Sequence, residues 1–94
     1  MTAARSDVIA RIVALAERST DGRVKIPADH GGPDSIRRLG IDSLSFLRLL
    51  ESVEREFGFE WEDDIPSAAL ASFEAMADYV LRRTAVPLRS IEKP

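Results

Sequence analysis

Ser43 is the residue whose type and position point most directly to chemistry: a primary hydroxyl preceded by Leu39-Gly40-Ile41-Asp42 and followed by an amphipathic run. Gly40 permits a sharp backbone entry, Asp42 can cap a helix with its carboxylate, and Ser43 then falls on the first turn, away from the centre of the apolar side. The first N–H groups of a helix lack intrahelical acceptors and the dipole is positive there, so a phosphate ester on Ser43 would meet a favourable field. The single histidine, His30, sits in Asp29-His30-Gly31-Gly32-Pro33. A hydrolase built from Ser43, His30 and an aspartate would need this Gly-rich loop to hold the imidazole at hydrogen-bond distance, in a chain with little room for a substrate pocket; His30 is expected to be a solvated loop residue. Gly31-Gly32-Pro33 lacks the Gly-Lys-Ser/Thr of a phosphate loop. Glu60, Glu62, Asp63 and Asp64 lack calcium-loop spacing and read as an acidic surface. No catalytic residue and no metal ligand is assigned.

The elements that must position Ser43 follow from periodicity. Val8, Ile9, Ile12, Val13, Leu15 and Ala16 share one side of a helix over residues 6–18, which Ser19-Thr20-Asp21-Gly22 ends. Residues 20–41 hold Gly22, Pro27, Gly31, Gly32, Pro33 and Gly40, too many breakers for a helix, and are expected to form a long ordered loop pinned by Val24, Ile26, Ile36 and Leu39. A second helix spans 42–57, with Phe46, Leu49, Leu50, Val53 and Phe57 as its core stripe. Leu44 projects about 160° from that stripe, among Arg48, Glu51 and Arg55, with Leu47 at the margin on the same side. An apolar residue on a charged face is a candidate contact for something outside the domain. Gly58 stops the helix, Pro66 opens a short one over 66–70, and Ser72 caps a last helix over 72–83, with Phe73, Met76, Ala77, Val80 and Leu81 on its apolar side. Trp61 and Tyr79 are expected to pack in the core or at its edge. Residues 1–83 form one domain and 84–94, without period, a flexible tail. The fold class is all-α: a four-helix bundle of three principal helices and one short one.

Composition bounds the function. With 94 residues, 31% charged and 45% hydrophobic, the chain can build one small soluble core. Its 13 Lys+Arg against 16 Asp+Glu give a net charge of -3, which argues against nucleic acid or an anionic membrane as partner. The charge is segregated: residues 51–64 carry seven acids and one base, net -6, and the rest of the chain nine acids and twelve bases, net +3. That acidity also argues against a helix-turn-helix DNA binder, whose recognition helix is basic. The chain has no cysteine, which excludes disulfides, a thiolate nucleophile and thiolate-bound metals. With no signal-peptide pattern and no apolar run of membrane length, a cytoplasmic protein is expected, and it is read as a monomer.

Leu39-Gly40-Ile41-Asp42-Ser43-Leu44, opening an amphipathic helix that ends in Glu54-Arg55-Glu56-Phe57, resembles the acyl carrier protein family. The resemblance covers roughly residues 36–81, taking in Ile36, Leu39, Leu70, Ser72-Phe73 and Ala77-Asp78-Tyr79-Val80. It implies the acyl-carrier-like bundle and a covalent phosphopantetheine, from coenzyme A, on Ser43 beside the motif acid Asp42. It also implies acyl intermediates held as thioesters, and no enzymatic activity of the chain's own. Leu44, Leu47, Arg48, Glu51, Glu54 and Arg55 would belong to the surface that partners read, and Glu54, Glu56, Glu60, Glu62, Asp63 and Asp64 to an acidic surface that speeds encounter. The implied partners are a phosphopantetheinyl transferase, an acyl- or aminoacyl-loading enzyme, and a ketosynthase or acyltransferase.

The chain departs from fatty-acid carriers at Arg48, where they usually have an acid, and at Arg55; this favours polyketide or other specialised biosynthesis over fatty acid biosynthesis, and a chain that begins with Met and holds one domain is expected to be a free-standing carrier. Residues Trp61 to Ala69 run about one residue longer than the usual pattern, so the short helix is expected to be displaced. Ile41 stands where peptidyl carriers have Gly, which favours an acyl cargo and leaves an aminoacyl or peptidyl carrier as the alternative. From another functional class, an unmodified helical adaptor would use Ser43 only as a helix residue.

Overall fold

A computed structural model describes residues 5–26 and 31–92, with side chains as far as Thr84. Helices α1 (Arg5–Ser19), α2 (Ser43–Phe57) and α3 (Phe73–Glu92) are joined by segments that contain two short 3₁₀ turns, Arg37–Leu39 and Ser67–Leu70. The described residues form no strand, and none of their helices is long and apolar enough to cross a membrane. The architecture is the all-α bundle expected, the 67–70 turn taking the place of the short fourth helix and Arg37–Leu39 being an added turn. His30, Pro27 and Asp29 lie outside the described residues.

The core is made by the residues that helical periodicity groups together. Val8, Ile12, Leu15 and Ala16 of α1 meet Leu49 and Val53 of α2 and Phe73, Met76, Ala77 and Val80 of α3, with Ile36 inserted from the loop. Helix α1 packs against both α2 and α3 and so forms the spine of the bundle. Two guanidinium–carboxylate forks hold the outer edges of these pairings: Arg5 to Asp78 on α3, at 2.7 and 3.2 Å, and Arg11 to Glu56 on α2, at 2.8 and 3.0 Å. Each fork keeps its carboxyl below the usual carboxylate range, first through the hydrogen bond and then through the charge of the arginine.

Helix α2 is rolled relative to the expected stripe. Leu49 and Val53 are fully buried, but Phe46, Leu50 and Phe57 are only half-buried at the flank, and Ser45 is buried instead. A small residue at 45 lets α2 approach the turn after α1, so the buried line runs Ser45, Leu49, Val53 and turns Phe46 toward the opposite edge. A helical wheel assigns an apolar arc, and the neighbours decide which part of it is central.

The described part of the long loop before α2 is fastened by polar ties as well as by apolar pins. Ile36 is buried, and Ile26 and Leu39 pack partly against the core, but Val24 does not join it. The Ile36 and Arg37 amides donate to the Ala71 carbonyl at 2.9 and 3.3 Å, Ser35 Oγ accepts the Phe73 amide at 3.0 Å, and Glu74 Oε2 accepts the Gly32 amide at 2.9 Å. These bonds fasten the loop to the start of α3, where Ser72 Oγ caps the helix by accepting the Ala75 amide at 3.0 Å. Backbone groups that would otherwise be buried without partners are thereby satisfied.

Beyond α2, Gly58 adopts the left-handed conformation (φ 72°) and ends the helix. Trp61 then stacks on Tyr79 with ring centroids 5.1 Å apart, and its indole N–H donates to the Leu50 carbonyl at 2.9 Å. The Tyr79 hydroxyl donates to Glu62 Oε1 at 2.8 Å, and burial raises its pKa above the ordinary tyrosine value. Both aromatics therefore serve the fold, as expected for them. Helix α3 departs from expectation, since it continues to Glu92 through part of the segment read as an aperiodic tail. Thr84 Oγ1 donates to the Val80 carbonyl at 2.9 Å within the coil. Each further residue then adds a hydrogen bond to a helix already nucleated, so weak amphipathic period does not end it, and Pro87 removes one N–H without terminating it.

Candidate functional site at the start of helix α2

The entry to α2 is built from three adjacent residues. Gly40 closes the preceding 3₁₀ turn in the left-handed region (φ 69°), its N–H on the Arg37 carbonyl. Asp42 is extended (φ -73°, ψ 168°) and acts as N-cap: its Oδ1 accepts the Ser45 amide at 2.8 Å while its carbonyl accepts the Phe46 amide at 2.9 Å. Ser43 and Leu44 therefore occupy the first two helical positions, where backbone N–H groups point outward without intrahelical acceptors. Both side chains are exposed, Leu44 by 60%, and Leu47 one turn on by 57%; these two are the exposed large hydrophobic residues of the described chain.

Hydrogen bonding to the Ser45 amide, then to its hydroxyl, and the nearby charges of Arg23 and Arg48 hold the Asp42 carboxyl below the usual aspartate range. The carboxylate is thus engaged as the helix cap through Oδ1. Because folding lowers this pKa, the stabilisation it brings is complete above the unfolded-state value, near pH 4, and is lost as pH falls through the lower folded value. Asp42→Asn keeps a capping oxygen but cannot titrate. Its melting temperature should decline less than the parent's between pH 5 and 3, roughly the range where carboxylates take up protons; identical pH profiles would show that the cap carboxylate is not the titrating group. Glu56 and Asp78, held low by their arginines, contribute to the acid dependence that remains.

A cleft of about 380 Å³ opens beside Ser43, lined by Ile36, Arg37, Ile41, Phe46, Ser67 and Leu70. Sequence reasoning missed it. Its only sequence signal is the bulk of Phe46, which turns out half-buried on the cleft wall. A phosphodiester on Ser43 fits what is present: an accessible hydroxyl, outward N–H groups at the positive end of a 15-residue helix, and open space into which a chain can be laid.

The residues assigned to partner reading fall into two groups. Leu44, Leu47, Arg48, Glu51 and Arg55 are exposed along one side of α2. Glu54 stands apart, half-buried, with Oε2 accepting the Trp61 amide at 2.8 Å. Of the further acids, Glu56 is forked by Arg11 and Glu62 accepts the Tyr79 hydroxyl, whereas Glu60, Asp63 and Asp64 are exposed.

Neither the curated proteins nor the solved structures include a significant match to the chain. The family model described as "phosphopantetheine attachment site" matches residues 22–80, more than half of the chain, and its span contains Asp42, Ser43, the whole of α2 and the cleft beside it. With a capped helix start, an accessible serine on its first turn and this match, the chain belongs to the phosphopantetheine-attachment family of carrier domains, whose prosthetic group is bound covalently.

Proposed function

We propose that this protein is an acyl carrier of polyketide or another specialised biosynthetic pathway, with Ser43 as the attachment residue and no catalytic activity of its own. The observation that carries the reading is the position of Ser43: exposed on the first turn of α2, behind an aspartate already engaged as the cap, and beside an open cleft. The arm supplies what a chain without cysteine lacks, a terminal thiol to which acyl groups attach as thioesters. The chain's own residues do the rest. The helix start accommodates the phosphodiester charge, the cleft lies open next to it, and Leu44 and Leu47 offer partners an apolar contact close to the cargo. Tethering raises the local concentration of the cargo at each enzyme met.

A phosphopantetheinyl transferase is the partner every such domain needs; a loading enzyme and a ketosynthase or acyltransferase are the proposed others, met by a monomeric carrier in the cytoplasm. Arg48 and Arg55 on the exposed side of α2 support a specialised pathway over fatty acid synthesis, and Ile41 before the Asp-Ser pair supports an acyl over an aminoacyl cargo. Intact mass of the protein purified from its own organism tests the cargo: an acyl increment beyond the phosphopantetheine mass is expected, and an aminoacyl increment would convert the reading to a peptidyl-type carrier. Leu44→Ala and Leu47→Ala should slow transfer to cognate enzymes while changing stability by no more than about 0.5 kcal/mol, since neither side chain is buried. Stopped-flow or gel-based transfer rates alongside thermal melts read the two effects separately; unchanged rates with every partner would remove these leucines from the docking surface.

A further inference from the structure

The acids clustered in residues 51–64 suggest a docking face that meets basic partners, but several of them are already engaged within the fold. Glu54 holds the Trp61 amide, Glu56 is forked by Arg11, and Glu62 takes the Tyr79 hydroxyl. Arginines are left over. Arg18 on α1 and Arg48 and Arg55 on α2 form no ion pair among the described residues, and all three line one groove of about 480 Å³ between these helices. The acids sharing the groove outside an ion pair are Asp21 and Glu51, so free guanidinium groups outnumber free carboxylates there. Arg48 lies one turn beyond Leu44, and Arg55 two turns beyond Arg48, which puts both on the strip that starts at the exposed leucines.

We propose that the ridge of Leu44, Leu47, Arg48 and Arg55, bordered by Arg18, docks a protein partner that presents an apolar face edged with Asp or Glu side chains. Location beside Ser43 gives this surface its use, so the inference rests on the carrier reading. An apolar centre with a charged rim is the common anatomy of a transient interface, and complementary rim charges select the partner and speed its arrival more than they add affinity. Arginine suits the task because its planar fork matches a carboxylate in two parallel hydrogen bonds. The exposed acids Glu60, Asp63 and Asp64 belong to the loop after α2, and on the ridge itself Glu51 stands against Arg48 and Arg55, which leaves it net basic.

Two synthetic amphipathic helical peptides test the charge sense, both with the same leucine stripe, one edged with glutamates and the other with lysines. Each is titrated by amide NMR into the full chain, with and without the phosphopantetheine arm. The glutamate peptide should shift the amides from Leu44 to Arg55 at low salt, with the shifts fading as salt is added. The lysine peptide should leave this ridge and move the 60–64 segment. In a variant carrying R48E and R55E, shown by melting to be folded, the preference at the ridge should reverse. A lysine peptide that moves the parent's ridge as strongly, or a glutamate peptide that does not move it, overturns the inference. Mass gain at Ser43 is scored independently: a parent that gains the arm yet shows no peptide preference sinks the docking inference alone, whereas a parent that gains no arm sinks the carrier reading.

Discussion

Ser43→Ala should fold like the parent and gain no phosphopantetheine mass when incubated with coenzyme A and a broad-specificity transferase. The loss is expected to be complete, because on the proposed reading the Ser43 oxygen forms the new phosphodiester bond and alanine offers none. The fold should not notice. Ser43 is exposed, its hydroxyl makes no hydrogen bond among the described residues, and alanine is the best intrinsic helix former. Asp42 supplies the cap from the neighbouring position, so the helix start survives the change. Intact-protein mass spectrometry reads the modification, and a thermal melt shows that the protein is still folded. A mass gain that persists in Ser43→Ala would place the attachment elsewhere and end the Ser43 assignment; no gain in the parent would instead favour the unmodified helical adaptor.

Phe73→Ala should produce the largest loss of stability of any single truncation considered for this chain. Phe73 is fully buried at the first position of α3, where α1, α3 and the long loop converge. Its amide is held by Ser35 Oγ, so the ring lies under the point at which the loop is fastened. Removing such a ring costs about 3–5 kcal/mol through lost transfer energy and the cavity left behind. Small domains have only about 5–15 kcal/mol in total, so the variant should be strongly destabilised and its loop loosened with it. Phe46→Ala is the informative comparison, since a helical wheel places Phe46 in the core whereas in the fold it is half-buried on the cleft wall. It should cost clearly less than Phe73→Ala and should enlarge the space next to Ser43. Urea unfolding of the two variants orders them; equal midpoints would overturn the burial pattern of α2.

The comparison between Phe46 and Phe73 shows what a one-dimensional reading can reach. Helix α1, the Asp42 cap, the Gly58 stop and the Ser72 cap depend on residues within a turn of one another, and each is visible in the local order of side chains. The helix start that holds Ser43 was legible for the same reason, since a helix end is written in four or five consecutive residues. Leu44 also stood out locally, as an apolar residue on a charged arc, and its 60% exposure agrees with that reading.

Other features have no local signature. The cleft beside Ser43 joins the loop, α2 and the 67–70 turn, and its walls become neighbours only when those segments fold together. The partners of Glu54, Glu56 and Glu62 come from the loop after α2, from α1 and from α3, so a count of acids along 51–64 overstates the charge left free for a partner. The roll of α2 that buries Ser45 in place of Phe46 is likewise set by what lies against it.

By itself, then, the order of residues determined the helical class, the helix start that carries Ser43 and the exposed leucine beside it, because helix periodicity and capping act over a few residues. Only the tertiary structure decided which apolar side chains are central, which carboxylates are engaged by partners within the fold, and which arginines of the described residues stay outside ion pairs. Those outcomes depend on contacts between segments far apart in sequence, where burial and charge pairing are settled by the neighbour that arrives and not by the residue that waits.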